Sequence, residues 1–400
     1  MPSASPAQRA TAAFQAAFHT DPAFTARAPG RVNLLGEHVD YNAGWVLPAA
    51  IDRAAYVAAG PAAEDGLVEI VAPDLGAQVS FRLADLHNKL DSLGAELPRW
   101  AWYPAGVAWA LAEQGLAVTG LRAVLASDVP VGAGLSSSAA VEVAFATAWQ
   151  HLGGWRLPAL EMARLCQRAE NQYVGVNSGL MDQFASACGQ AGRLLRLDCR
   201  TLAWQAVPLP PGVSIVVADT TLRRELGQSA YNQRRAECEE AVRGLRAALH
   251  DESIQALRDV SPADFNAHAA ALEPVVARRA RHVVEECART EAAVGLLQAG
   301  RVADFGALMN ACHASLRDLY EVSGPELDAM ASAAQALPGC YGARLTGAGF
   351  GGCTVNLVAS EAVAAFVPAL AAAYHGATGL TAEIYVCQAA AGAGLLPPTE

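Results

Sequence analysis

Between a strand-like stretch at 124–127 and a run of good helix formers at 136–150, the chain carries Gly132-Ala133-Gly134-Leu135-Ser136-Ser137-Ser138. Ala139, Ala140, Val143, Ala144 and Thr147 follow at helical spacing, so the local order is strand, glycine loop, helix. A helix start presents unpaired backbone N–H groups and a positive dipole end to an anion. Glycines ahead of it let the backbone close around oxygen atoms without obstruction from Cβ. A tight turn of this kind needs one capping hydroxyl. Three successive serines exceed that need, and their hydroxyls can also ligate a hard cation.

Lys89 is the only lysine, and it sits in His87-Asn88-Lys89-Leu90-Asp91 without a glycine loop. A P-loop, a protein-kinase strand lysine and a pyridoxal Schiff base are excluded together. A nucleotide, if bound, is held by another route. With 28 basic against 39 acidic side chains and a net charge of -11, a nucleic acid meets a repulsive mean field. At 53% hydrophobic and 17% charged, the chain is too apolar for disorder. The nine cysteines contain no C-x-x-C pair, and their odd number reads as reduced thiols in the cytoplasm. The longest apolar run, 362–374, contains Pro368 and is too short to span a bilayer, so no membrane association is expected.

The opening twenty-odd residues read as an amphipathic helix. A second helix is expected over 160–173, broken at Gly175-Val176-Asn177-Ser178-Gly179, with a third starting near Leu180. The proline cluster at 207–212 marks a boundary, dividing the chain into 1–206 and 207–400. Beyond it a strand is expected at 214–218, helices from 229 to 336, a glycine-rich turn at 344–352, and strands at 354–358 and 383–386. The layout is α+β in two domains.

Three further clusters carry chemical potential. Residues 30–42 contain Arg31, Asn33, Glu37, His38, Asp40, Tyr41 and Asn42. They read either as a solvated loop of mutually paired charges or as a polyol site, in which Glu37 and Asp40 each accept two hydroxyl hydrogen bonds. Asp182 stands in the first turn of an otherwise apolar helix, where an acid commonly just complements the dipole. Glu170 falls near a helix end where negative charge is unfavourable, which invites a cation. Residues 344–353 hold Gly347, Gly349, Gly351 and Gly352, implying close backbone approach to a ligand or a neighbouring domain.

Taken in order, Gly30-Arg31-Val32-Asn33-Leu34-Leu35-Gly36-Glu37-His38-Val39-Asp40-Tyr41, Pro130-Val131-Gly132-Ala133-Gly134-Leu135-Ser136-Ser137-Ser138-Ala139 and Leu345-Thr346-Gly347-Ala348-Gly349-Phe350-Gly351-Gly352-Cys353 resemble the three motifs of the GHMP small-molecule kinases. The first resembles the signature of the galactokinase branch in particular. The resemblance implies two α+β domains with the active site in the cleft between them. It implies that Gly132 to Ser138 wrap the ATP phosphates, with Ser138 and Glu170 holding Mg²⁺. Glu37, His38, Asp40, Gly179 and Tyr231 would contact the sugar, Asp182 would be the catalytic carboxylate, and Arg31 would stabilise the transition state. The expected reaction transfers the ATP γ-phosphoryl group to the C1 hydroxyl of galactose, and the expected form is a monomer. Kinases for N-acetylgalactosamine, galacturonate or arabinose, and a catalytically silent galactose sensor, are the alternatives. The chain departs from the family pattern at Ala230, where Glu is expected, and at Asp219-Thr220-Thr221, where Asn and Ser are common.

Overall fold

The computed structural model describes residues 4–223 and 227–397. Its first sheet has six strands in the order Gly394–Leu395, Phe24–Asn33, Pro48–Pro61, Leu121–Ser127, Leu67–Ala72 and Ala77–Arg82. Neighbours are antiparallel except for the parallel pair Leu67–Ala72 and Leu121–Ser127. Strand periodicity decides which residues cover each face. Ala58, Val124 and Ala126 pack with Ala10 and Phe14 of the helix Pro6–Phe18. The alternate residues Val57, Ala59, Ala123 and Leu125 belong to the main core, with the helices Ser137–Leu152 and Met181–Cys188.

A second, four-stranded antiparallel sheet runs in the order Cys340–Thr346, Cys353–Ala359, Val213–Asp219, Glu383–Cys387. Here too alternation builds two faces. Val216 and Ala218 meet Phe366, Leu370 and Tyr374, whereas Ile215 and Val217 turn to the main core. The helices Pro274–Gln298 and Val302–Asp318 lie between this sheet and the first motif. A third, small sheet comprises Trp45–Val46, Arg193–Asp198 and Trp204–Pro208, the last of which runs across residues 206 and 207.

Three local outcomes differ from the sequence expectations. The glycine-rich turn expected over 344–352 is narrower, because Arg344, Leu345 and Thr346 extend the strand Cys340–Thr346 and only 347–352 turn. The helix expected over 160–173 is regular only for Ala159–Arg168. It then widens into a π-helical turn at Ala169–Val174, closed by Gly175 in the left-handed region. The segment 30–33, open as loop or site from sequence, is the end of the long strand Phe24–Asn33.

Candidate active site

A bulge between Pro29 and Arg31 shifts the register of the first strand where it meets the glycine loop. The backbone N–H of Arg31 donates to the Leu135 carbonyl at 3.0 Å, and a Cβ on Gly30 would fall 2.7 Å from that oxygen. The bulge therefore turns the buried Arg31 side chain towards the loop and the helix Met181–Cys188. Its Nη1 donates to the Gly134 carbonyl at 2.5 Å, while Nε and Nη2 reach Asp182 Oδ1 at 2.9 and 2.6 Å. The Ser136 hydroxyl donates to the other oxygen, Asp182 Oδ2, at 2.5 Å. Ser136 has φ +59°, a left-handed conformation, so the helix begins at Ser137 and the Ser136 side chain serves Asp182 rather than a cap.

The glycines of the third motif answer the question left by sequence. A Cβ on Gly347 would lie 2.8 Å from the Gly134 carbonyl oxygen, and one on Gly352 would lie 2.7 Å from that of Ala133. The close neighbour is the backbone of the glycine loop at 132–135, so two glycine-rich segments far apart in sequence pack without side chains between them.

Glu37 is buried, and its Oε2 accepts from the fully buried Arg344 guanidinium and, at 3.0 Å, from the Gly347 N–H. Its backbone carbonyl accepts from His282 Nε2 at 3.1 Å. His38, at φ +61°, lies against Tyr231 and Tyr320. Because the Ala348 carbonyl can only accept, His38 Nε2 carries the proton and donates to it at 3.2 Å. Nδ1 then accepts from the Tyr41 hydroxyl at 2.8 Å. Burial, reinforced by His282, pulls His38 down to about 3, so it stays neutral. Both its ring nitrogens are engaged by protein.

Asp40 lies beside Gly179, and burial followed by the nearby Asp182 charge pushes it up to about 7. Glu170, in the π turn, accepts from the Ser178 hydroxyl, from Gln183 Nε2 at 2.9 Å and from the Ser138 hydroxyl. Burial raises it above the usual carboxylate range. Two hard oxygen donors, Ser138 and Glu170, thus meet beside the glycine loop, a donor set of the kind that suits Mg²⁺.

Arg31, Glu37, His38, Asp40, Gly132, Ser138, Glu170, Gly179, Asp182 and Tyr231, separated by up to two hundred residues in sequence, line one cleft of about 430 Å³. Sequence reasoning missed Tyr103 and Asn232, which share the lining, and Arg344 as the partner of Glu37. Lys89 lies elsewhere, donating to the Tyr173 carbonyl with its Nζ 4.0 Å from the Trp102 ring centroid, as its sequence context implied.

The galactokinase galactose-binding signature matches residues 12–61, the GHMP kinase N-terminal domain 103–190 and the GHMP kinase C-terminal domain 293–375. A galactokinase of Roseiflexus sp. (strain RS-1) is 49% identical over 381 residues, 95% of each chain. The chain belongs to the galactokinase family. Another member, from Chloroflexus aggregans, is 48% identical over 97% of each chain. Lactococcus lactis galactokinase, solved in complex with galactose, superposes with a TM-score of 0.90 at 37% identity, covering 96% of this chain and 98% of its own. A mevalonate kinase structure at TM-score 0.64 and 18% identity shares the fold. The galactokinase family thus accounts for all three motifs and for the α+β architecture.

Proposed function

We propose that the chain transfers the γ-phosphoryl group of ATP to the C1 hydroxyl of galactose, releasing galactose 1-phosphate and ADP. The observation that carries this reading is the convergence of Arg31, Asp40, Ser138, Glu170, Gly179 and Asp182 on one cleft, with Arg31 and Ser136 both bonded to Asp182. The family relationship supports the same chemistry.

Galactose would lie against Asp40, Gly179, Tyr231, the His38 ring and Glu37, whose Oε1 is the oxygen available to sugar hydroxyls. Gly132, Ala133, Gly134, Leu135, Ser136, Ser137 and Ser138 would surround the ATP phosphates through backbone N–H groups. Ser138 and Glu170 would hold Mg²⁺, which when bound supplies charge neutralisation on the β- and γ-phosphates. The C1 oxygen forms a bond to the γ-phosphorus as the bond to the β,γ-bridging oxygen breaks, and ADP leaves with that electron pair. The hydroxyl proton passes to Asp182, and Arg31 stabilises the charge on the transferring group. Glu37, clamped by Arg344, fixes the sugar wall to the C-terminal half of the chain. The residue positions expected to differ from the family, Ala230 and Asp219, fall at different places: Ala230 lies outside the lining of the cleft, and Asp219 binds Arg223 at 2.6 and 2.8 Å.

This reading keeps a division near residues 206 and 207, with Gly394–Leu395 returned to the first sheet. It also keeps a monomer in the cytoplasm; all nine cysteines are free, and among the described residues no helix is long and apolar enough to cross a membrane. The test is ADP release measured across galactose, N-acetylgalactosamine, galacturonate, arabinose and glucose. Turnover greatest with galactose is expected. Sugar binding without turnover of any sugar would replace the enzyme with a sensor.

A further inference from the structure

Asp182 and Gln183 are neighbours on the helix Met181–Cys188, about 100° apart around its axis, so they face different surroundings. Asp182 enters the cleft, and Gln183 is fully buried behind it. The Gln183 amide Nε2 donates to Glu170 Oε2 and to Glu142 Oε2, each at 2.9 Å. An amide nitrogen has two hydrogens, and here each is taken by a different carboxyl group. The amide nitrogen is thus held between the two carboxyl groups, while the Gln183 Oε1 has no hydrogen-bond partner. Glu142 belongs to the helix that follows the phosphate loop, is itself fully buried, and its Oε1 has no hydrogen-bond partner. A buried acid kept with one oxygen unsatisfied costs stability, which a fold tolerates where the contact positions a functional group.

We infer that Gln183 and Glu142 are positioning residues for Mg²⁺ binding: Glu142 orients the Gln183 amide, and Gln183 holds the Glu170 carboxylate against Ser138. The inference rests on the reading of Glu170 as a metal ligand. It explains why an amide follows the catalytic carboxylate in Gly179-Leu180-Met181-Asp182-Gln183, since one turn of helix then aligns the proton acceptor and the metal ligand together.

The test is Mn²⁺ binding in the presence of ADP, followed by electron paramagnetic resonance, alongside galactose affinity and thermal stability. Gln183→Leu should weaken Mn²⁺ about 10- to 100-fold, the usual consequence of removing an outer-shell partner, with galactose affinity kept. Glu142→Leu should weaken it in the same direction. Glu142→Gln, which keeps the shape and a carbonyl acceptor, should bind Mn²⁺ like the parent. Parent-like Mn²⁺ affinity in Gln183→Leu and Glu142→Leu, with a weakened Glu170→Gln, would overturn the positioning role while leaving Glu170 as ligand. Parent-like affinity in Glu170→Gln would remove the metal reading and the inference with it. If Gln183→Leu does not fold, Glu142→Leu against Glu142→Gln decides, because loss of stability without loss of Mn²⁺ affinity would make the contact structural.

Discussion

Asp40 occupies the space that any side chain at position 179 would need: a Cβ on Gly179 would stand 1.9 Å from Asp40 Oδ2. The glycine is therefore a condition of the carboxylate's position. Gly179→Ala has to displace Asp40 from the sugar wall, and strain of this kind costs about 1–3 kcal/mol, roughly a tenfold to hundredfold loss of galactose affinity. The KM for ATP should stay near that of the parent, since the phosphate loop is untouched. Steady-state kinetics with each substrate varied separately checks this, and an unchanged galactose KM would contradict it.

With Asp40 in the proposed sugar site, galactose binding should depend on pH. Its carboxyl rises from 3.8 to about 7 through burial and the Asp182 charge. Sugar hydroxyls donate to the ionised form, so galactose affinity should increase as pH rises through 7. Stability moves the other way: the folded chain holds this proton to higher pH than the unfolded one, so the Asp40 contribution is full below pH 3.8 and declines towards pH 7. Asp182→Asn removes the second cause of the shift and should move the galactose-binding profile to lower pH. Titration calorimetry from pH 5.5 to 8.5 on parent, Asp40→Asn and Asp182→Asn reads the profiles, and a flat parent profile would refute the assignment.

Selectivity should rest on the same carboxylate. Galactose and glucose differ at one hydroxyl, and an acceptor left without its donor in a buried site costs about 1–3 kcal/mol. Asp40→Ala should therefore narrow the ratio of kcat/KM for the two sugars. Undiminished discrimination in that variant would assign the choice to Glu37 or Tyr231.

The Glu37–Arg344 pair is a different kind of contact, buried on both sides and joining the first motif to the second sheet. Arg344→Met leaves Glu37 with only the Gly347 N–H on its Oε2. Removing one member of a buried pair costs about 3–5 kcal/mol. The midpoint of urea denaturation should fall accordingly, and a change below about 1 kcal/mol would mean that Glu37 takes up water in its place.

What could be read from sequence divides along a physical line. The strand–loop–helix around Gly132, the apolar helix carrying Asp182 and the strand Val213–Asp219 follow from local spacing, and all three form as expected. Of the expected site residues, Arg31, Glu37, His38, Asp40, Gly132, Ser138, Glu170, Gly179, Asp182 and Tyr231 line the same cleft, and residues 133–137 of the glycine loop do not. Long-range pairing left no local trace. Nothing near Arg344 says that it will meet Glu37, and Gln183 reads as one more polar helix residue until Glu142 and Glu170 are seen on either side of it. The π turn at Ala169–Val174 was equally silent, because its residues suit an ordinary helix.

Both oxygens of Asp182 already have partners: Oδ1 takes two nitrogens of Arg31, whereas Oδ2 accepts only from Ser136 and so retains a second lone pair, and the side chain is 25% exposed. A base in this position can take the C1 proton without releasing either partner. Asp182→Asn removes that capacity and sets an amide against the Arg31 guanidinium, so the single-turnover rate should fall about 10²- to 10⁴-fold with ATP and galactose saturating. Ser136→Ala serves as the control, because it removes one hydrogen bond and leaves the carboxylate and Arg31 in place. Were Asp182 only to orient the hydroxyl, its Asn variant would keep a rate within about tenfold of the parent. In that case Arg31→Lys would be the more damaging change, since an ammonium cannot span Asp182, the Gly134 carbonyl and a phosphoryl oxygen as a planar fork does. The order of damage between these two variants, measured in single turnover, identifies the group that carries the step.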